Sequence, residues 1–307
     1  MKMTAPNMRY VLTVFLCLWV TMAGALQAHA DTTKPLNDTA GKAAVETAKP
    51  AEEEKPTGDV SLAVLSKYYS KGAELSRSSA VIQPSMTIGY NGFTANLWGS
   101  LDTSPYQTPA NLTRKNTWSE TDITLSYGKT LGMVNLGAGY SYFAYNPPYD
   151  GAARPDDQQE VNATVGLNLL LNPTLTVYKM FDKGRRWYIQ MGVSHVFEFN
   201  KVVSLKVAGT GGYLIGGDAG SASEAKFDDN ANPTTDKYNA FLDGVLTASL
   251  PVKVTDRITI TPTASYAFPL GTGAKNYMQG NGMETVTKST DRASSFLFGG
   301  LIMSFGF

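Results

Sequence analysis

The chain has 307 residues, with 26 Lys+Arg against 26 Asp+Glu, 17% charged and 43% hydrophobic. That balance excludes a nucleic-acid binder working by net charge, so no nucleic-acid partner is expected. Mean hydropathy is only -0.16, and no apolar run beyond residue 30 approaches the roughly 20 residues of a membrane helix, which excludes helical spanning as well.

In chain order, Lys2 and Arg9 form a basic region ahead of an apolar stretch over residues 10–24. Ala28 and Ala30, flanking His29, put small residues where a signal peptidase reads, so cleavage is expected after Ala30. The single Cys is Cys17, inside that leader. Leu16 before it is bulkier than lipoprotein processing prefers, and residues 31–307 hold no thiol for a disulfide, a metal or a nucleophile. Residues 31–58 are rich in Lys, Glu, Ala and Thr, with Pro35, Pro50 and Pro56 and the run Glu52-Glu53-Glu54. Having almost nothing apolar to bury, they are predicted to be a disordered periplasmic linker.

From Asp59 the pattern becomes a two-residue alternation. Ile258, Ile260, Pro262, Ala264, Tyr266 and Phe268 alternate with Thr259, Thr261, Thr263, Ser265 and Ala267. Val161, Ala163, Val165 and Leu167 alternate with Asn162, Thr164 and Gly166. The second face is too polar for the dry core of a sandwich and suits a barrel with lipid outside and water inside. About twelve strands are predicted, near 60–69, 80–90, 93–102, 118–127, 133–145, 158–171, 174–182, 186–199, 202–214, 237–250, 257–269 and 295–307. Tight connections at Asn91-Gly92, 128–132, Asn172-Pro173, Asn200-Lys201 and 252–256 alternate with long ones at 70–79, 103–117, 146–157, 215–236 and 270–294, with a short exception at 183–185. The fold class is therefore all-β: a transmembrane antiparallel up-and-down β-barrel over 59–307, in the bacterial outer membrane, with both termini periplasmic.

The C-terminus places Leu297, Gly299, Leu301, Met303, Phe305 and Phe307 at every second position and stops on Phe. This resembles the signal by which outer-membrane proteins are handed to the barrel-assembly machinery, and Phe305 and Phe307 are its candidate residues. Further textures carry a second likeness: residues 66–72 (SKYYSKG), Gln83-Pro84-Ser85, Asn96-Leu97-Trp98-Gly99, Glu120-Thr121-Asp122 ahead of Leu125-Ser126-Tyr127, and Gly192-Val193-Ser194-His195. Over most of 60–200 the chain resembles a family of proteobacterial outer-membrane barrels described as channels by inference alone. The resemblance implies a fold and a location, without a substrate.

Parity assigns the lumen, because a charge facing lipid at mid-membrane costs about 2–4 kcal/mol. Lys67, Trp98, Asp102, Glu120, Asp122, Glu160, Arg186, Lys206 and Asp243 are expected to line it, with Gln83, Ser85, Asn96, Gln158 and Gln190. Strand seven resists, since Lys179 shares parity with Leu175 and Val177, and a bulge or the opposite facing is expected there. Asp102, Glu120 and Asp122 are expected to form an acidic wall facing a basic wall of Arg186 and Lys206, a field that orients polar solutes. The expected function is a passive channel for small hydrophilic solutes, in contact with outer-membrane lipid and lipopolysaccharide. Opposed to it stands a closed structural or adhesion barrel working through its loops, with the charges pairing across the lumen. A lipid hydrolase built on His195 and Ser194 comes third, because adjacent strand residues face opposite ways. No cofactor and no metal are expected: Asp218, Glu224, Asp228 and Asp229 match no established calcium-loop spacing.

Overall fold

The computed structural model describes residues 55–76, 79–104, 116–147, 155–182, 184–218, 220–221, 223–282 and 287–307. The predicted signal peptide and nearly all of the predicted linker lie outside them. Twelve strands build the wall: β1 Thr57–Leu65, β2 Val81–Tyr90, β3 Phe93–Asp102, β4 Thr117–Leu131, β5 Val134–Tyr145, β6 Gln158–Leu167, β7 Thr174–Met180, β8 Trp187–Glu198, β9 Ser204–Ile215, β10 Asn239–Ser249, β11 Ile258–Pro269 and β12 Phe296–Gly306. Each pairs antiparallel with its sequence neighbour, and β12 pairs with β1 from Asp59–Gly306 to Leu65–Gly300, closing the ring. Beyond the strands, Gly58 and Phe307 exchange both backbone hydrogen bonds at 2.9 Å, so the terminal Phe completes the seam.

Alternation sorts the two faces. Leu97, Ile123, Leu125, Leu246, Leu301 and Met303 point outward and stay about half-exposed (Leu125 53%), an apolar belt of the kind a bilayer covers. Aromatic side chains flank it, with Tyr90, Phe93, Tyr127, Phe305 and Phe307 at the turn end, and Trp118 and Trp187 at the loop end. No helix among the described residues is long and apolar enough to cross a membrane. The inner face pairs hydroxyls across strands: Thr124 with Ser141 at 2.9 Å, Thr164 with Thr176 at 3.0 Å, and Thr247 with Ser265 at 2.7 Å.

At the turn end the connections are tight. Asn91 and Gly92 both have positive φ (50° and 80°), as a two-residue hairpin requires. β4 runs on to Leu131 and pairs it with Val134, so its turn is Gly132-Met133 and not the whole of 128–132. Strand one stops at Leu65 and not at 69, because the chain there leaves the wall for the lumen.

Two bulges re-aim side chains. Between β3 and β4 the register slips at Ser119, so Glu120 pairs with Ser100 while Trp118 pairs with Leu101. Trp118 thereby faces out and covers Gly99, where a Cβ would lie 2.1 Å from its ring. Between β9 and β10 the slip sets Leu242 and Asp243 against Gly212, and both side chains are buried. Neither the bulge nor the opposite facing expected in strand seven occurs, and Leu175 points outward. β7 pairs regularly with β6 and β8, and Lys179 points outward at the rim, its Nζ on Arg185 O at 2.8 Å and 4.9 Å from the Trp187 ring centroid. A rim lysine snorkels along an aromatic ring and needs no inward turn.

The predicted loop 270–294 contains a helix, α1 Thr272–Gly280. It has no side-chain N-cap and no acidic first turn, so packing holds it. Ala274 and Tyr277 join Tyr188, Leu214, Phe227, Tyr238 and Leu242 in one buried cluster above the mouth, roofed by the hairpin Ala225–Phe227 with Pro233–Lys237.

Replacing Leu125 or Ile260 with Arg should cost about 2–4 kcal/mol and reduce the heat-modifiable folded form after refolding, whereas Arg at Thr124 or Thr261 should be tolerated. Equal damage at all four positions would mean that both faces are dry.

Candidate functional site at the loop end of the lumen

After Leu65 the chain turns into the barrel. Tyr69–Ser70 and Ala73–Glu74 pair as a small hairpin whose tip, Lys71-Gly72, is left-handed at both residues (φ 46° and 81°). A side chain at Gly72 would collide with Leu242, whose Cδ2 lies 2.5 Å from an ideal Cβ, so the tip seats directly on β10.

The hairpin reaches across the lumen. Lys71 Nζ meets both oxygens of Glu160 on β6 at 2.5 and 2.6 Å, and lies 3.9 Å from the Tyr178 ring centroid on β7. The Tyr69 hydroxyl donates to Asp243 Oδ2 on β10 at 2.8 Å, and Tyr188 donates to the other oxygen at 2.9 Å. Tyr69 also packs on Phe296 and Phe298 of β12, at 5.5 and 5.8 Å between centroids. Tyr68 packs on Trp98 at 5.4 Å, and its hydroxyl and that of Tyr145 hydrogen-bond Glu120. The segment therefore touches β3, β4, β6, β7, β8, β10 and β12. Burial pulls the Lys71 pKa below the usual lysine value, and the Glu160 carboxylate acts to raise it again.

The structure sorts the residues expected from sequence. Asp102 (3% exposed), Glu120 (4%), Glu160 and Asp243 are buried on the inner face, with Trp98 and Asp122 only partly covered. Asp102 accepts from Ser79 Oγ and Ser104 N, both at 2.8 Å. Asp122 follows Glu120 on the same face and interacts with it, and its Oδ1 is buried with no hydrogen-bond partner among the described residues. Lys67 is not a strand residue. It pairs with Glu74 inside the hairpin and lies 5.0 Å from the Phe296 centroid.

The basic wall is corrected. Arg186 lies at the loop end, where its Nη1 donates to Ser223 O at 3.4 Å. Lys206 pairs with Val196, on the order of 30 Å along β8 from Arg186 at about 3.3 Å per residue. Antiparallel strands start at opposite ends of a barrel, so these two cations cannot form one wall. Lys71, carried in on the hairpin, is the cation that pairs directly with the acidic cluster, and Arg186 lies near it at the same end.

The other candidates are dispersed. His195 faces outward, its Nδ1 2.7 Å from Leu170 O and its ring against Phe197, while Ser194 takes the other parity. Asp218 and Asp228 cap local turns, Glu224 accepts from Gly217 N and Asp218 N, and Asp229 meets Asn276. No three potential metal ligands converge among the described residues.

No protein-family model matches the chain, and no curated protein matches it. Among solved structures it is similar to the NanC porin, at 11% identity over 81% of this chain and 98% of that one, with a TM-score of 0.45. It is similar to an outer-membrane channel from Pseudomonas putida F1, at 11% identity over 85% and 100%, TM-score 0.41. It is also similar to the translocator domain of the autotransporter NalP from Neisseria meningitidis, at 11% identity over 84% and 90%, TM-score 0.39. The twelve-stranded ring itself is established by this chain's own ladder.

Lys71→Met should destabilise by about 1–3 kcal/mol, because it leaves the buried Glu160 carboxylate without its partner while the hairpin is seated, and adding Glu160→Gln should recover much of the loss. Urea unfolding of the refolded barrel in detergent measures the cycle, and additive effects would mean that the pair is not coupled.

Proposed function

We propose that the chain is an outer-membrane channel for small hydrophilic solutes, passive in mechanism and without enzymatic activity. One observation carries this reading. On the turn side of the hairpin, the inward residues Thr94, Asn96, Thr124, Ser126, Asn162, Thr164, Thr261 and Thr263 are only half-buried although they face away from the lipid side. A water-filled lumen accounts for this, since twelve strands imply a backbone radius of roughly 12 Å, which such short side chains do not fill. The belt fits outer-membrane lipid and lipopolysaccharide, and the predicted leader fits export.

At the loop end, Asp102, Glu120, Asp122, Glu160, Asp243 and Glu74 outnumber Lys67, Lys71 and Arg186. An acidic excess enriches cations in a pore. The closed structural or adhesion barrel is the second reading, and the hairpin across the mouth is the observation that favours it.

Purified protein in a planar bilayer should give discrete conductance steps with a cation-selective reversal potential under a salt gradient. Glu120→Gln with Asp122→Asn should reduce that selectivity, most strongly at low salt, where the Debye length reaches about 30 Å at 0.01 M. Asp228→Asn, in the outer hairpin, should leave it unchanged. Silence from verified folded protein would give first place to the closed barrel.

Recognition of Phe305 and Phe307 by the barrel-assembly machinery is part of the same proposal. Phe307→Asp should leave protein in the periplasm or degraded, and normal heat-modifiable protein in the outer membrane would count against the signal.

A further inference from the structure

We propose that the hairpin at residues 67–76 is a releasable plug, seated by Lys71 on Glu160 and by Tyr69 on Asp243 and hinged where it meets β1 and β12. The inference rests on the channel reading and adds to it a closed and an open state of the same lumen.

The first observation is how the segment is held. Its backbone is tied to the wall at its base, where Ser66 N donates to Gly299 O at 2.8 Å and Gly299 N donates to Ser66 Oγ at 3.1 Å. At the return, Thr103 N donates to Ala80 O at 3.1 Å. Between these points the backbone hydrogen bonds seen among the described residues are internal, from Leu75 N to Tyr68 O and from Tyr68 N to Ser76 Oγ. A wall strand would lose a whole ladder on moving, whereas this segment exchanges only side-chain contacts.

The second is what those contacts are made of. Much of the wall behind the hairpin is Gln83, Ser100, Glu120, Glu160, Gln190 and Asp243, all buried and all polar. A permanently shut lumen is cheaper to fill with apolar side chains, because desolvating an ion pair offsets most of its attraction. The same offset makes release inexpensive, since Glu160, Asp243 and Lys71 regain water when the plug leaves. Phe296 and Phe298, on β12, hold the hinge side instead.

The absence of Cys after residue 17 allows a clean lock. An ideal Cβ on Gly72 lies 2.8 Å from Leu242 Cγ, which brings the two Cβ positions within disulfide range. Gly72→Cys with Leu242→Cys, oxidised, should conduct far less than the same protein after reduction. Lys71→Met leaves the tip glycine intact and should raise the ratio of open to closed time about tenfold or more, as expected for loss of one charge-assisted contact. A variant with residues 68–75 replaced by a short Gly-Ser turn should conduct continuously. If that variant conducts but the verified disulfide and Lys71→Met both leave conductance unchanged, the plug does not move and the proposal fails while the channel stands. If the plugless barrel is folded by heat-modifiability and silent, the channel reading fails.

Discussion

Closure of the backbone ladder is the constraint on which the rest depends. A sheet in a bilayer has no water to satisfy an edge, so the twelve strands must form a ring, and the bonds between Gly58 and Phe307 complete it. Once closed, alternation leaves no choice of facing: one set of side chains meets lipid and the other the lumen. Apolar residues fill the outer set, and Ser, Thr, Asn and Gly dominate the lower inner set. A twelve-stranded ring of that composition encloses space that its own wall cannot occupy, and the loop-end mouth is occupied instead by a segment carried in from the first loop.

That segment also settles the electrostatics of the mouth. Glu120, Asp122, Glu160 and Asp243 come from three strands and crowd toward one level, where each carboxyl taken out of water needs a hydrogen-bond or charged partner. Lys71 pairs with Glu160, the hydroxyls of Tyr69 and Tyr188 satisfy Asp243, and Tyr68 and Tyr145 bond Glu120. The wall supplies acids and the loop supplies a cation and donors. The buried clusters thus come in two kinds, an apolar one under α1 that fixes the cap and a polar one under the hairpin that can be rehydrated.

Most strands were legible in the sequence because period-two alternation is a direct consequence of facing lipid and water at once; β3 matches to the residue. Features that break the period were not. The bulges at Ser119 and at Leu242-Asp243 turn neighbours to unexpected faces, and a nine-residue helix flanked by glycines has no cap signal to announce it. Parity also carries no information about height along the barrel, which is why Arg186 and Lys206 were grouped although they occupy opposite ends. Lys71 escaped for a related reason, since a loop residue has no parity and nothing local marks it as inward. The available hint was the pair Tyr68-Tyr69 shortly before a Lys-Gly step, aromatic bulk that sets this loop apart from its otherwise polar residues.

The order in which these contacts become possible bears on their strength. Lys71 and Glu160 are 89 residues apart, and Tyr69 and Asp243 are 174 apart. Neither contact exists until β6 and β10 stand in the wall, so the seat is completed when the ring is nearly closed, while the ladder partners of β2 and β3 are set within a single turn. By then the ladder has already met the loop-closure entropy of these long separations, and the cost left to the seat is the desolvation of its charges and the ordering of the hairpin. Segments held in that way lie at the low end of a protein's spectrum of local stabilities and open first, well before the ladder that surrounds them. The wall and its plug thus differ in stability by construction: one is held by a continuous backbone ladder, the other by a few side-chain contacts that water can replace.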